Sequence, residues 1–244
     1  MTAFALSLAF WIFLWASSVA LFPVALAVWA LTAPFDRRKV ILHRFTCFWA
    51  SLYTWLNPAW RVTIEGRSKI HPRQPVVFVS NHLSSLDILV LFRLFTHFKW
   101  VSKIENFRPP FIGWNMSLNG YIPVVRGDKQ SVVRMMGRCR QALEGGSSIM
   151  MFPEGTRSPT GRLRDFRSGA FAIAQDAGVP LQPLVITGSS DALPKSGLVI
   201  SGKHRIHVRV LDVVPPEAFG DRSSEELAAW VRERIAAELP TETT

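Results

Sequence analysis

Read only for apolar and polar positions, the 244-residue chain divides near residue 60. No Asp, Glu, Lys, Arg or His occurs before Asp36, and residues 3–33 form an almost unbroken apolar run. As a helix rising ~1.5 Å per residue, such a run reaches about 46 Å, against a hydrocarbon core of about 30 Å. It is long enough to span with tilt, or to enter and turn back, and Pro23 is expected to kink or break it. A cleaved signal peptide fits poorly, because no Lys or Arg precedes the apolar stretch and the stretch is too long. Asp36-Arg37-Arg38-Lys39 lead into a second apolar stretch, Val40 to Trp60, interrupted by His43 and Arg44 and carrying Trp49, Tyr53 and Trp55. Those charges and aromatic rings suit an interfacial or re-entrant helix better than a second span. Residues 1–60 therefore read as a membrane-embedded helical anchor. The basic cluster places the rest on the cytoplasmic side of the inner membrane.

From residue 61 to 244 the texture is that of an α/β domain with a mixed central sheet flanked by helices. Arg61–Glu65 reads as a strand, and Val76–Ser80 and Ser148–Phe152 as buried central strands. Further strands are expected at Val179–Thr187 and Arg205–Val210. Helices are expected at 84–96, at 129–143 with Val132, Val133, Met136, Cys139, Ala142 and Leu143 inward, and at 168–177. A last helix over 223–239 opens on Ser223-x-x-Glu226, a capping box. Strands alternating with helices imply layers.

Composition then narrows the classes. With 48% apolar residues the chain has ample material for a core, which excludes intrinsic disorder. Two distant cysteines, Cys47 and Cys139, exclude a disulfide scaffold. The net charge of +10 asks for an anionic partner. Every positive side chain lies beyond the apolar run, which favours membrane phospholipid over nucleic acid, and no nucleic-acid motif of the usual kinds occurs.

Two loops carry candidate chemistry. The strand at 76–80 ends in NHLSSLD, residues 81–87. On one regular helix His82 and Asp87 would lie about 140° apart, but with His82 in the loop and Asp87 in the first turn their side chains can meet. The carboxylate would then orient the imidazole and fix its tautomer. Ser84-x-x-Asp87 is equally a helix-capping pattern, with His82 as a structural residue. The strand at 148–152 ends in FPEGTRS, residues 152–158. There Gly155 allows close backbone approach, Arg157 offers a fork matched to phosphate, and Glu154 can meet a substrate hydroxyl or hold Arg157. A turn with a solvated ion pair is the plainer alternative. Arg126 in GYIPVVR, Lys103, and the helix start at Ser168-Gly169 add weaker cationic or anion-attracting features. No cluster of Cys, His and carboxylates has zinc-like spacing. No G-x-S-x-G elbow supports a serine hydrolase.

Together these motifs resemble the lysophospholipid acyltransferase family, of the 1-acyl-sn-glycerol-3-phosphate O-acyltransferase type. NHLSSLD matches its N-H-x4-D, GYIPVVR its G-x-I-x-x-x-R, and FPEGTRS its third motif letter for letter. FRSG at 166–169 is similar to its F-K-x-G, and VPLQP at 179–183 to its V-P-I-x-P. The likeness runs over roughly residues 60–190, and Leu181, Gln182 and the missing Phe-acidic pair before Arg126 depart from it. The resemblance implies direct transfer of a fatty acyl group from acyl-CoA or acyl-carrier protein to the hydroxyl of lysophosphatidic acid. His82 would be the base and Asp87 its partner. Lys103, Arg126, Glu154, Gly155, Thr156 and Arg157 would hold the acceptor, with no cofactor and no metal. A different lysolipid acceptor is the nearest alternative; a lipid hydrolase or a non-catalytic lipid-binding protein lies further off.

Overall fold

A computed structural model describes residues 3–71, 73–158, 161–193, 199–200 and 202–240. In chain order it contains α1 (Ala3–Thr32), α2 (Val40–Trp55), β1 (Trp60–Glu65), β2 (Val77–Ser80), α3 (Leu86–Phe92), β3 (Phe98–Lys103), α4 (Ile112–Leu118) and β4 (Ile122–Val124). There follow α5 (Lys129–Glu144), β5 (Ser148–Met151), α6 (Gly169–Ala177), β6 (Leu181–Thr187), α7 (Ser189–Ala192), β7 (His204–Val210) and α8 (Ser224–Ala236).

The strands form one sheet in the order β1-β7-β6-β2-β5-β3-β4. The five from β6 to β4 are parallel; β7 runs antiparallel to β6, and β1 parallel to β7. The expected mixed sheet is thus present. Alternation along the central strands feeds two cores. Phe78, Met150, Leu184 and Ile186 face one side, where they pack with α1, α2 and α3. Val77, Val79, Ile149 and Val185 face the other, with α5, α6 and α8. Covering both faces with helices is what makes near-continuous apolar parallel strands stable.

Helix α1 is 30 residues long, about 45 Å, and is long and apolar enough to cross a membrane. Its outward face presents Phe4, Leu8, Ile12, Trp15 and Val19. Pro23 lies inside it without breaking it. A proline removes one backbone hydrogen bond, and here the adjacent Phe22 packs edge-on against Phe111 and Trp114, which docks that turn on the domain. Helix α2 buries Leu42, Cys47 and Ala50 in the same core as α3 and the sheet. Tyr53 ties it to α1: its hydroxyl accepts from Trp49 Nε1 at 2.6 Å and lies 3.0 Å from Ser17 Oγ.

Three expectations need correction. The helix expected at 84–96 is only α3, because Arg93–Phe95 turn, with Phe95 at φ 51°, to start β3. The buried stripe of α5 is Ser131, Met135, Cys139 and Leu143, whereas Val133 is exposed; an i, i+4 row faces the core. Elements β3, α4, β4 and α7 were not anticipated.

Candidate active site

Parallel strands β2, β5, β3 and β4 are neighbours, and their carboxyl ends open on the same edge of the sheet. That edge is where open α/β sheets bind ligands. Asn81-His82 follow β2, the 152–158 loop follows β5, Lys103 ends β3, and Arg126 lies two residues beyond β4. The residues selected from two separate sequence loops therefore meet at one edge.

Asn81 prepares the exit of β2. Its amide reproduces a backbone pairing with β6, donating to Ile186 O and accepting from Ile186 N, both at 2.8 Å. The chain is held in register while it leaves the sheet, and His82 follows at a fixed angle. Asp87 then closes the loop. Its Oδ2 lies 2.8 Å from His82 Nδ1 and also accepts from Leu83 N at 2.7 Å and Ser84 N at 2.9 Å. One fully buried carboxylate thus makes both the contact to His82 and the bonds to the backbone amides at the start of the helix that NHLSSLD allows. An ionised acceptor at Nδ1 fixes the proton there and leaves the Nε2 lone pair outward. No described residue donates to Nε2. Phe152 fixes the ring plane, stacked on His82 with centroids 3.8 Å apart and planes 7° apart; Trp100 backs it at 5.4 Å.

Glu154 braces the second loop against the first. Oε1 accepts from His82 N at 2.7 Å and Oε2 from Arg164 N at 3.3 Å, and Ser158 N donates to His82 O at 2.8 Å. Burial pushes the Glu154 carboxyl up to about 7, against the pull of those two amides. Both Glu154 oxygens are thus directed at backbone and not at Arg157. Arg157 instead donates to Ser85 Oγ at 2.8 Å, at the foot of α3. Lys103 pairs with Glu105 at 3.2 Å on the rim. Arg126 is exposed, and Thr156 half-buried. The start of α6 is met by a carboxylate: Glu225 is held below its ordinary range first by a hydrogen bond from Ser168. A cavity of about 460 Å³ adjoins Glu154, lined also by Arg164, Phe166 and Arg167. Among the described residues no group of three His, Cys, Asp or Glu is placed to hold a metal ion. Phe152, Asn81 and Ser85 lay inside or beside the motifs but were not singled out as functional, since their roles depend on contacts across the sheet edge.

Such a site can abstract a proton at Nε2 and hold an anion nearby, without a protein nucleophile. That chemistry agrees with the comparisons. The sequence profile of the Acyltransferase family matches residues 61–187, more than half of the chain, and the chain belongs to that family. It is 34% identical over 227 residues to a 1-acyl-sn-glycerol-3-phosphate acyltransferase of Chlamydomonas reinhardtii, covering 92% of this chain and 67% of the relative. The chain spans about half the length of the chloroplast relatives it matches. It is also 29% identical to a lyso-ornithine lipid O-acyltransferase of Pseudomonas aeruginosa, over 82% of each protein. The fold is that of the 1-acyl-sn-glycerophosphate (LPA) acyltransferase PlsC from Thermotoga maritima, with a TM-score of 0.78 at 23% identity. That alignment covers 96% of this chain and 94% of the other.

Proposed function

We propose that this chain transfers a fatty acyl group from acyl-CoA or acyl-carrier protein to the free hydroxyl of lysophosphatidic acid, giving phosphatidic acid. His82 Nε2 takes the hydroxyl proton as the oxygen attacks the thioester carbonyl. The C–S bond then breaks and the leaving thiolate takes that proton from the imidazolium. Asp87 orients the ring and stabilises its charged form. Arg126, Arg157 and Lys103 hold the phosphate, as guanidinium and ammonium groups suit a phosphomonoester. Glu154, Gly155 and Thr156 shape the loop that carries Arg157. No cofactor takes part. The observation that carries the reading is the Asp87–His82 pair with Nε2 outward, at the sheet edge where the arginines gather.

Both substrates carry long acyl chains, which explains a catalytic domain mounted on an apolar helix. We place α1 in the inner membrane and the domain on the cytoplasmic face. Arg38 Nη1 donates to Gly146 O at 3.0 Å, and Lys99 Nζ donates to Arg38 O at 2.7 Å. The basic linker is thus bound to the domain and shares its side of the membrane, the side that retains Arg and Lys.

The test is acyl transfer by purified chain, with acyl-CoA and acyl-carrier protein offered in turn, on lysophosphatidic acid beside other lysolipids. The expected result is turnover that is highest on lysophosphatidic acid. Turnover confined to a lysolipid without a phosphomonoester, such as lyso-ornithine lipid, would transfer the assignment to the second reading, which the Pseudomonas relative favours.

A further inference from the structure

Arg167 occupies a position that the acceptor residues named above do not explain. Its backbone N–H donates to Pro153 O at 2.9 Å, which folds the approach to α6 back over the loop after β5. Its side chain then lies against Gly155: a Cβ there would come 2.9 Å from Arg167 Nε and 3.0 Å from Cζ. Gly155 sits at φ 72°, a conformation that favours glycine, and the absent side chain leaves the space in which the Arg167 guanidinium lies. The glycine of the FPEGTRS loop is therefore the floor on which this guanidinium rests.

A like charge lies near it. Although Arg126 is exposed, its guanidinium is pushed below its ordinary range first by the partial burial of its side chain and then by Arg167, with Glu105 opposing and Arg157 adding. Carboxylates at this rim are committed elsewhere. Glu105 pairs with Lys103, Asp165 with Arg232 at 3.6 Å, and Glu154 with backbone amides. Among the described residues none lies within ion-pair distance of Arg126 or Arg167. Guanidinium groups gathered in this way repel one another until an anion lies between them. Arg167 also lines, with Glu154, Arg164 and Asp165, an open cavity of about 460 Å³ beside the loop after β5.

Resting on the acceptor role given above to Arg126, Arg157 and Lys103, we propose that Arg167 is a further phosphate ligand. With the other two guanidinium groups it closes a seat for a phosphomonoester dianion, and it sets the preference for acceptors that end in phosphate. A planar fork on a third side gives directionality that a point charge lacks.

The test is steady-state kinetics of the purified full chain in mixed micelles. The acceptors are lysophosphatidic acid and 1-acylglycerol, the same molecule without phosphate. Arg167→Ala should raise the KM for lysophosphatidic acid roughly 10- to 100-fold and lower the preference for it over 1-acylglycerol by a similar factor. The donor KM should not change, and Arg167→Lys should recover part of the loss. An unchanged acceptor KM in Arg167→Ala, or a rise confined to the donor KM, overturns the role of Arg167 while acyl transfer to lysophosphatidic acid stands. Failure of the unaltered chain on lysophosphatidic acid overturns the proposed function instead.

Discussion

His82 and His43 are both buried, both packed against aromatic rings, and both bonded through Nδ1, yet their neighbours prepare them for opposite work. At His82 the Nδ1 partner is the Asp87 carboxylate, which keeps the proton on Nδ1 and turns the basic nitrogen outward. At His43 the Thr96 carbonyl lies 3.0 Å from Nε2 and the Tyr121 hydroxyl 2.9 Å from Nδ1. A carbonyl can only accept, so Nε2 carries the proton and Nδ1 takes the phenolic one. Both His43 nitrogens are saturated, and the ring ties α2 to the sheet. The sites also lie at opposite ends of β3: Thr96 and His97 precede it, whereas the reactive loops gather at its carboxyl end. Burial and aromatic contact do not set the proposed base apart from the bracket; the partner of the second nitrogen does.

Exchanging the two perturbations gives the largest contrast. His82→Ala should lower turnover by about 1,000-fold or more with the fold intact. His43→Leu should keep turnover in the folded fraction but cost about 1–3 kcal/mol of stability, because Tyr121 and Thr96 lose their partner. Acyl-transfer rates paired with urea unfolding separate the two, and a His43→Leu protein of normal stability but no activity would break the comparison. Asp87→Asn comes next. An amide turned to donate to Nδ1 imposes the tautomer that His43 has, so turnover should drop about 100- to 10,000-fold. The acceptor KM should hold. A loss expressed mainly in KM would refute orientation as the role of Asp87.

Legibility in the sequence followed the same division. The His82–Asp87 pair was readable because it is local: a strand end, a loop and a first helical turn fix its geometry within six residues. Buried strands β2 and β5 announced themselves by unbroken apolar runs. β4 did not, since it has three residues and contains Pro123; proline is tolerated there only because β4 is the edge of the sheet. β3 was hidden by Lys99, a cation inside the strand whose ammonium donates to Arg38 O and Asn119 O across 61 and 20 residues of chain. The placement of Arg167 against Gly155, and of Glu154 beneath His82, likewise depends on contacts between elements that no local pattern records.

Glu154 sharpens the comparison with the smallest effect. Like Asp87 it is a buried carboxylate, 2% exposed, but its oxygens hold backbone amides of two loops and not an imidazole. Its carboxyl is raised from 4.5 to about 7, so the folded protein binds this proton more tightly than the unfolded chain does. Stability from this group is therefore full below pH 4.5, declines as pH rises to about 7, and is constant above. Glu154→Gln removes that slope and turns an NH2 toward one backbone donor. At pH 5, where the carboxyl keeps its proton, it should cost about 1–2 kcal/mol, and less at pH 8. Because the His82 loop is merely loosened, kcat should drop by about tenfold with the acceptor KM unchanged. Urea unfolding of both proteins from pH 5 to 8 reads the slope directly, and parallel curves would show that Glu154 does not titrate there. A large rise in acceptor KM at constant kcat would instead make this carboxylate a ligand of the lysolipid, and the brace between the two loops would have to be sought in Ser158.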